Sequence, residues 1–509
     1  MEKKEIRTHY SGVIIFAAKI ATVATGIAFA LIVANSLSQA EYGILGIFNI
    51  IIPYFTILTG AISFWTMRFV SRGAEGAAKT GVFANFALAI IAMLAYLALL
   101  PIISPAFRLG NYLIVYLIMA AQVVEVYLIS VLESSLQGNR PEYVGYGLLV
   151  GEILKVGLCY FLIVWRQMGI QGAALSIVIA FAVKAGFYIK ILFKELRQKL
   201  VFAYVKEWVK GSAFNIYNVI GDRIAAIMFL MITWYGTETA NSYYYATSQI
   251  ANIIVYSTLL AFALTPKLLS ESKLGEATMS LKLVLLFAVP MTAGVLALPS
   301  SYLVFLKETG EYVVATPVLM ILAIDALILT TSTIFNYVLM GIERVDEKAK
   351  IPFREVAKSK LFIAFSLPYL HAAITLPTAF YAMTFLAHND PLLVTIYITG
   401  INTIGHTAMF LIQYYVISRA VKFQIPWNSI GKYALASTAM AAILYFTHPT
   451  RRLTTLIVTA IGGAVYVGVL LAIDKGTRSL LRMSIGMLTA KIRPKTEPTT
   501  PSREATLKE

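Results

Sequence analysis

One cysteine, Cys159, stands in a chain of 509 residues, so no disulfide can close within it. Charge is sparse as well. Asp, Glu, Lys and Arg make up 13% of the residues, against roughly 25% in soluble domains. The sequence has no HExxH, no P-loop and no G-x-S-x-G. Its five histidines, at positions 9, 371, 388, 406 and 448, are scattered without metal-ligand spacing. No loop is long and acidic enough to serve as the catalytic domain of a membrane glycosyltransferase or polymerase. These absences exclude a disulfide-stapled secreted protein and the common hydrolases, and leave neither a catalytic residue nor a bound cofactor to predict. The first apolar segment is too long for a secretory signal and lacks a cleavage site.

What the chain has instead is hydrophobicity, at 59% of its residues. A soluble fold could not cover so much apolar surface, whereas lipid accepts apolar side chains facing outward. One crossing takes ~20 apolar residues. On that measure the sequence predicts an all-α membrane protein with fourteen spanning helices. They fall at 11–34, 42–67, 81–103, 111–137, 142–165, 170–192, 211–234, 242–266, 281–305, 314–340, 359–385, 391–417, 430–447 and 453–473. A cytoplasmic tail is expected at 1–10. A second one at 474–509 is basic at first and then Pro- and Thr-rich around Pro494–Pro501, a composition that reads as disordered.

Charge placement agrees with that count. With the N-terminus inside, only Arg108, Arg166, Lys307, Arg451 and Arg452 fall in outer loops. Lys19, Lys155, Lys184 and Arg223 sit deeper within helices, and the rest of the 42 Lys and Arg lie on the inner side. This is the positive-inside pattern, and it places both termini in the cytoplasm. The net charge of +16 therefore reports topology and contact with anionic membrane lipids, with no nucleic acid as partner.

The chain also repeats itself. Ala40 to Arg68 holds a turn, a long apolar stretch and a closing cation, and Ala240 to Lys267 does the same. Leu136-Gln137-Gly138-Asn139-Arg140 is matched, at nearly the same offset, by Met340-Gly341-Ile342-Glu343-Arg344. Six crossings per repeat insert both halves the same way up, as in transporters built from parallel repeats. The halves are then 11–192 and 211–417, joined by an amphipathic interfacial segment at 193–210, with two further helices at 430–473.

The turn Leu37-Ser38-Gln39-Ala40-Glu41-Tyr42-Gly43 resembles the LGPEEYG-like turn of the polysaccharide and oligosaccharide-lipid flippases. That family belongs to the multidrug/oligosaccharidyl-lipid/polysaccharide exporter superfamily, with lipid II flippases and MATE exporters as relatives. Ser38, Gln39 and Ala40 stand where the family has Gly, Pro and Glu. The likeness runs from about Val13 to Ile473. It implies two six-helix lobes around a central cavity, with two added C-terminal helices. It also implies alternating access that carries a polyprenyl-(pyro)phosphate-linked glycan outward across the cell membrane, with glycan-biosynthesis enzymes as candidate partners. Without a nucleotide-binding motif, the drive must come from an ion such as Na+ or H+, or from the lipid gradient. The alternative is an ion-coupled, MATE-like exporter of small organic molecules.

Ionisable residues at bilayer depth are the candidates for chemistry, because each costs ~2.5–3.5 kcal/mol unless it faces protein or water. Lys19, Lys155, Lys184 and Arg223 are candidates for holding a phosphate in the cavity. Glu125, Glu152, Asp222 and Asp325 are candidate coupling or cavity acids. Glu152 and Lys155, three apart on one helix face, can equally neutralise each other. Asp222 and Arg223 point about 100° apart and need separate partners. Asn402, His406 and Gln413 form a polar stripe suited to sugar hydroxyls or to bonds between helices. His371 is the other histidine at comparable depth.

Overall fold

The computed structural model describes residues 8–107, 112–261, 275–342, 360–387, 390–420 and 424–478, and the regular structure there is entirely helical. The predicted disordered stretch around Pro494–Pro501 lies outside the described residues. The first half holds α1 (Thr8–Ser36), α2 (Gln39–Phe55), α3 (Thr59–Ser71), α4 (Ala77–Ala106), α5 (Leu113–Asn139), α6 (Glu142–Cys159) and α7 (Gly169–Ile191). A π-helical turn, Tyr160–Trp165, extends α6. The short helices α8 (Phe193–Leu196) and α9 (Phe202–Gly211) follow. The second half holds α10 (Ala213–Val255), α11 (Gly275–Ala297), α12 (Pro299–Leu306), α13 (Thr316–Ile342), α14 (Lys360–Phe385) and α15 (Pro391–Ala420). Last come α16 (Trp427–Tyr445) and α17 (Arg452–Ile473).

Among the described residues, 10 helices are long and apolar enough to cross a membrane, or 11 if the bent pair α2–α3 counts as one span. The chain is a multi-pass membrane protein. Four predicted spans take a different form from the one expected. The stretch 42–67 does not run straight: α2 and α3 meet at 61°. Pro53 weakens the helix there, and the Thr56 and Thr59 hydroxyls bond back to nearby carbonyls. The freed Phe55 carbonyl accepts from the Tyr127 hydroxyl at 3.0 Å. The stretch 281–305 breaks at Leu298, ahead of Pro299 at the start of α12. The spans at 211–234 and 242–266 are fused into α10, which Thr237 interrupts at φ 67°, ψ −175°. Two contacts show that the chain reverses there. Asn241 Nδ2 donates to Thr233 Oγ1 at 2.7 Å, and the Phe229 and Tyr244 rings stack at 5.0 Å. A straight helix would hold Phe229 and Tyr244 about 22 Å apart. So α10 is a hairpin, and Tyr256–Ala261 continues it as a 3-10 turn.

These breaks fall in register with the internal repeat. The α1–α2 turn at Leu37 is matched by the Thr237 turn, and the end of α2 at Phe55 by the end of α10 at Val255.

The flippase-like turn forms the start of α2. Ser38 caps the helix through a capping box: Glu41 N–H donates to Ser38 Oγ, and Ser38 N–H donates to the Glu41 carboxylate. Beyond it, α2 packs closely on the second arm of α10. A Cβ at Gly43 would collide with the Glu238 carbonyl, and one at Gly46 would lie 2.9 Å from Tyr245 Cβ. Where lipid is as apolar as the side chains, small residues that let backbones approach supply the attraction. Tyr42 seals the same place, with its ring 4.8 Å from Tyr245 and 5.7 Å from Tyr312.

Most other packing stays within a half. Helix α1 lies on α6, and α5 on α3, α4 and α7; α10 lies on α14, and α13 on α15. The final pair docks on α11 through α16. At the other end of that pair Lys432 Nζ meets Asp474 Oδ1 at 3.0 Å. Burial pushes the Asp474 carboxyl up, but the bonds from Lys432 and Thr477 outweigh it and hold the group down at about 2. In the linker, Trp208 is fully buried against Phe69 and Tyr204, while Phe202 and Val209 face outward. Ser212 ties the start of α10 to α3: its hydroxyl accepts from Trp65 Nε1 and donates to the Ala61 carbonyl.

Candidate functional site

Two polar clusters lie among the apolar helices, one in each half. In the first half, Lys155 bridges Glu152 at 2.7 Å, and Thr25 on α1 donates to the same carboxylate at 3.1 Å. The Lys155 ammonium also lies 5.3 Å from the centre of the Phe29 ring. Lys184 bridges Glu133 at 2.7 Å across α7 and α5, where the Tyr188 hydroxyl also donates to Glu133. Gly151 makes room for the Lys184 stem. Lys19 lies within electrostatic range of the same Glu133. Lys19 and Lys184 therefore converge on one carboxylate that the sequence reading left outside its site. Glu125 is buried, and its Oε2 has no hydrogen-bond partner.

Arg223 stands apart from these lysines. It lies within electrostatic range of Tyr54 on α2, in the opposite half. The Arg223 Nε and the Tyr54 hydroxyl are both buried without a partner. Glu152 is within range of Tyr256 in the same crosswise sense. Asp222, the neighbour of Arg223, turns the other way into a cavity of ≈ 250 Å³ in the second half. Adjacent helical residues point about 100° apart, which separates the two charges.

That cavity is the second cluster. His371, His406, Asn218, Asp222, Asn336 and Gln413 supply much of its polar lining. His406 Nδ1 lies 2.8 Å from Asp325 Oδ1 on α13, and Asn402 Nδ2 is 3.3 Å from the same ring nitrogen. Asn402, His406 and Gln413 thus face one way from α15, as their spacing requires. Asn402 and His406 join Asp325, whereas Gln413 bonds Asn336 at 3.2 Å. His371 is 4% exposed and stacks on His406 with ring centres 4.8 Å apart. No side chain partners either His371 ring nitrogen, and the nearest acceptor is the Asn402 backbone. Gly405 is the reason the ring fits, because a Cβ there would strike it. The only sequence signal for this pair was that both histidines sit at bilayer depth; their contact is tertiary.

Chemically, the first cluster is made of ion pairs that keep lysines affordable in a low dielectric. The second is a carboxylate and two imidazoles around a small polar space, able to take up or release a proton.

No protein-family model and no curated protein matches the sequence. Solved structures do. A lipid II flippase, MurJ, in an inward-closed conformation superposes with a TM-score of 0.68 at 16% identity, over 92% of this chain and 100% of that one. The fold is that of the MOP-superfamily transporters. A multidrug-resistance MATE transporter of that superfamily, in an inward-facing conformation, matches with a TM-score of 0.60 at 12% identity, over 80% of this chain and 98% of that one. A MOP-superfamily transporter from Pyrococcus furiosus, described as having reversed polarity in its binding pocket, gives 0.53 at 13% identity, over 80% of this chain and 94% of that one.

The Glu152–Lys155 bridge can be tested by a double-mutant cycle. Lys155→Ala strands a half-buried carboxylate and is expected to cost about 1–3 kcal/mol. Thermal melting in detergent should register the loss, and Glu152→Gln/Lys155→Ala should recover most of it. A Lys155→Ala protein as stable as the parent would mean that the bridge contributes nothing.

Proposed function

We propose that this chain is a flippase that moves a polyprenyl-(pyro)phosphate-linked oligosaccharide from the inner to the outer leaflet of the cell membrane. Two six-helix lobes, 11–192 and 211–417, alternate access to a central cavity. The chain crosses the membrane fourteen times, and both termini are cytoplasmic. One observation carries the reading. The flippase match extends over 92% of the chain, whereas the MATE structures are almost wholly matched while leaving a fifth of it over. The likeness to the flippase therefore takes in more of this chain than the exporter fold supplies.

The buried cations suit that cargo. A phosphate carried through hydrocarbon needs its lost hydration replaced by charge-assisted bonds. Arg223, whose Nε has no partner and which lies within electrostatic range of Tyr54, is the readiest donor. Lys19, Lys155 and Lys184 rest on Glu133 and Glu152, which keep them neutralised while the site is empty. Glycan-biosynthesis enzymes are the partners such a carrier would serve. Asn336 and Gln413 offer hydroxyl-binding amides.

A second reading, an ion-coupled exporter of small organic molecules, has its own support. Glu125, Asp222 and Asp325 are bridged to no Lys or Arg among the described residues, a polarity that favours cationic cargo. Loss of the chain separates the two readings. As a flippase, its absence should leave lipid-linked glycan on the inner leaflet and reduce glycan at the cell surface. Unchanged glycan display together with raised sensitivity to organic cations would overturn the flippase reading in favour of the exporter.

For the drive, the Asp325–His406–His371 cluster points to H+ in preference to Na+, because ring nitrogens hydrogen-bonded to a carboxylate can carry a proton and are not the oxygen ligands a hard cation takes. Export should then follow the proton gradient and fall when an uncoupler collapses it. His371→Gln with His406→Gln should flatten that dependence while the protein still folds. A dependence unchanged in the double variant, or transport that follows Na+ instead, would remove the cluster from the drive.

A further inference from the structure

The end of the molecule that carries the 37–43 turn holds a polar network of its own. Helix α1 stops at Ser36 and α12 at Leu306, and both leave C-terminal carbonyls without partners in their own helices. Each end is satisfied from the opposite half. Asn35 Nδ2 donates to the Leu306 carbonyl at 2.8 Å. Lys307 Nζ donates to the Leu37 carbonyl at 3.2 Å and bridges Glu311 at 2.8 Å. Lys307 is 6% exposed, so its bond to the Leu37 carbonyl is made away from bulk water, while Glu311 stays open to solvent.

Arg452, in the first turn of α17, lies across both ends. Its Nε donates to the Phe305 carbonyl at 2.9 Å, and one terminal nitrogen reaches the Leu306 carbonyl and the Asn35 Oδ1. The same guanidinium meets Glu308 at 3.4 Å. A planar fork presents its donors at fixed angles to acceptors spread over two helix ends, a geometry that a lysine ammonium does not reproduce. Arg452 and Lys307 are two of the few cations that the topology leaves in outer loops, so each stands where the charge bias disfavours it.

We infer that the C-terminal pair α16–α17 is a working part of the seal between the halves. Arg452 clamps the end of α1 to the end of α12, and this face of the molecule parts only when the clamp releases. The inference rests on the alternating-access reading. It adds that the last two helices, which dock on α11 of the second half, hold the first half shut through one side chain. Separation would strip the caps from two helix ends together, so the clamp behaves as a switch with two positions.

Spin labels at Ala40→Cys and Val314→Cys, both exposed positions on opposite halves, report the separation by electron–electron distance in a Cys159→Ala background. The parent protein in liposomes should show a short and a long population. Arg452→Gln should raise the long one, by roughly fivefold for each hydrogen bond of ordinary strength lost. Arg452→Lys should resemble Arg452→Gln more than the parent. Asn35→Ala should act in the same direction and add little to Arg452→Gln, because both break one clamp. Lys432→Gln is the control: it breaks the ion pair at the far end of the same helical pair and should lower the melting temperature without moving the distances. If Arg452→Gln also lowers stability and leaves the distances unchanged, the arginine merely braces α17 and the clamp is refuted. A parent protein with a single distance under every condition would instead overturn alternating access itself.

Discussion

The structure depends on a close backbone approach between α2 and the second arm of α10, made where Gly43 and Gly46 leave no side chain in the way. In a bilayer, association gains little from excluding water, so contact area and small residues must supply it. That approach carries most of the packing between the halves among the described residues. The Tyr42–Tyr245–Tyr312 rings and the cross-capped ends of α1 and α12 gather at the same end. Such a surface can part and re-form without unfolding either half, because each half has its own helix packing.

Charge follows the same economy. An isolated lysine at bilayer depth is costly, and the chain meets the cost by pairing Lys155 with Glu152 and Lys184 with Glu133. Arg223 and His371 are the departures. Arg223 is half-buried, its Nε without a partner and the residue within electrostatic range of Tyr54 in the other half, and His371 is buried beside the second-half cavity.

Much of this was legible in the sequence, for physical reasons. Apolar length locates helices in a membrane protein, because lipid demands about 20 residues of it. The repeat foretold that the Leu37 turn would recur, and it does at Thr237. The i, i+3 spacing showed that Glu152 and Lys155 could meet. Other features were hidden. The bend after Phe55 needs the Tyr127 hydroxyl from α5, which no local pattern reveals. The Lys184–Glu133 bridge, the stacking of His371 on His406 and the reach of Arg452 to α1 join residues far apart in the chain. Ser38 looked like a departure from the flippase turn, yet its hydroxyl caps α2.

The central claim is that the α2–α10 contact parts in every transport cycle. Gly46→Cys with Tyr245→Cys places two thiols where the Cβ atoms nearly touch, within reach of a disulfide after a small shift. Glycan display should be measured in cells carrying this pair, before oxidation, after it and after reduction. The account predicts that export stops when the bond forms and resumes when it is reduced, while either single cysteine transports throughout. Export that continues at the normal rate with the bond fully formed would contradict it.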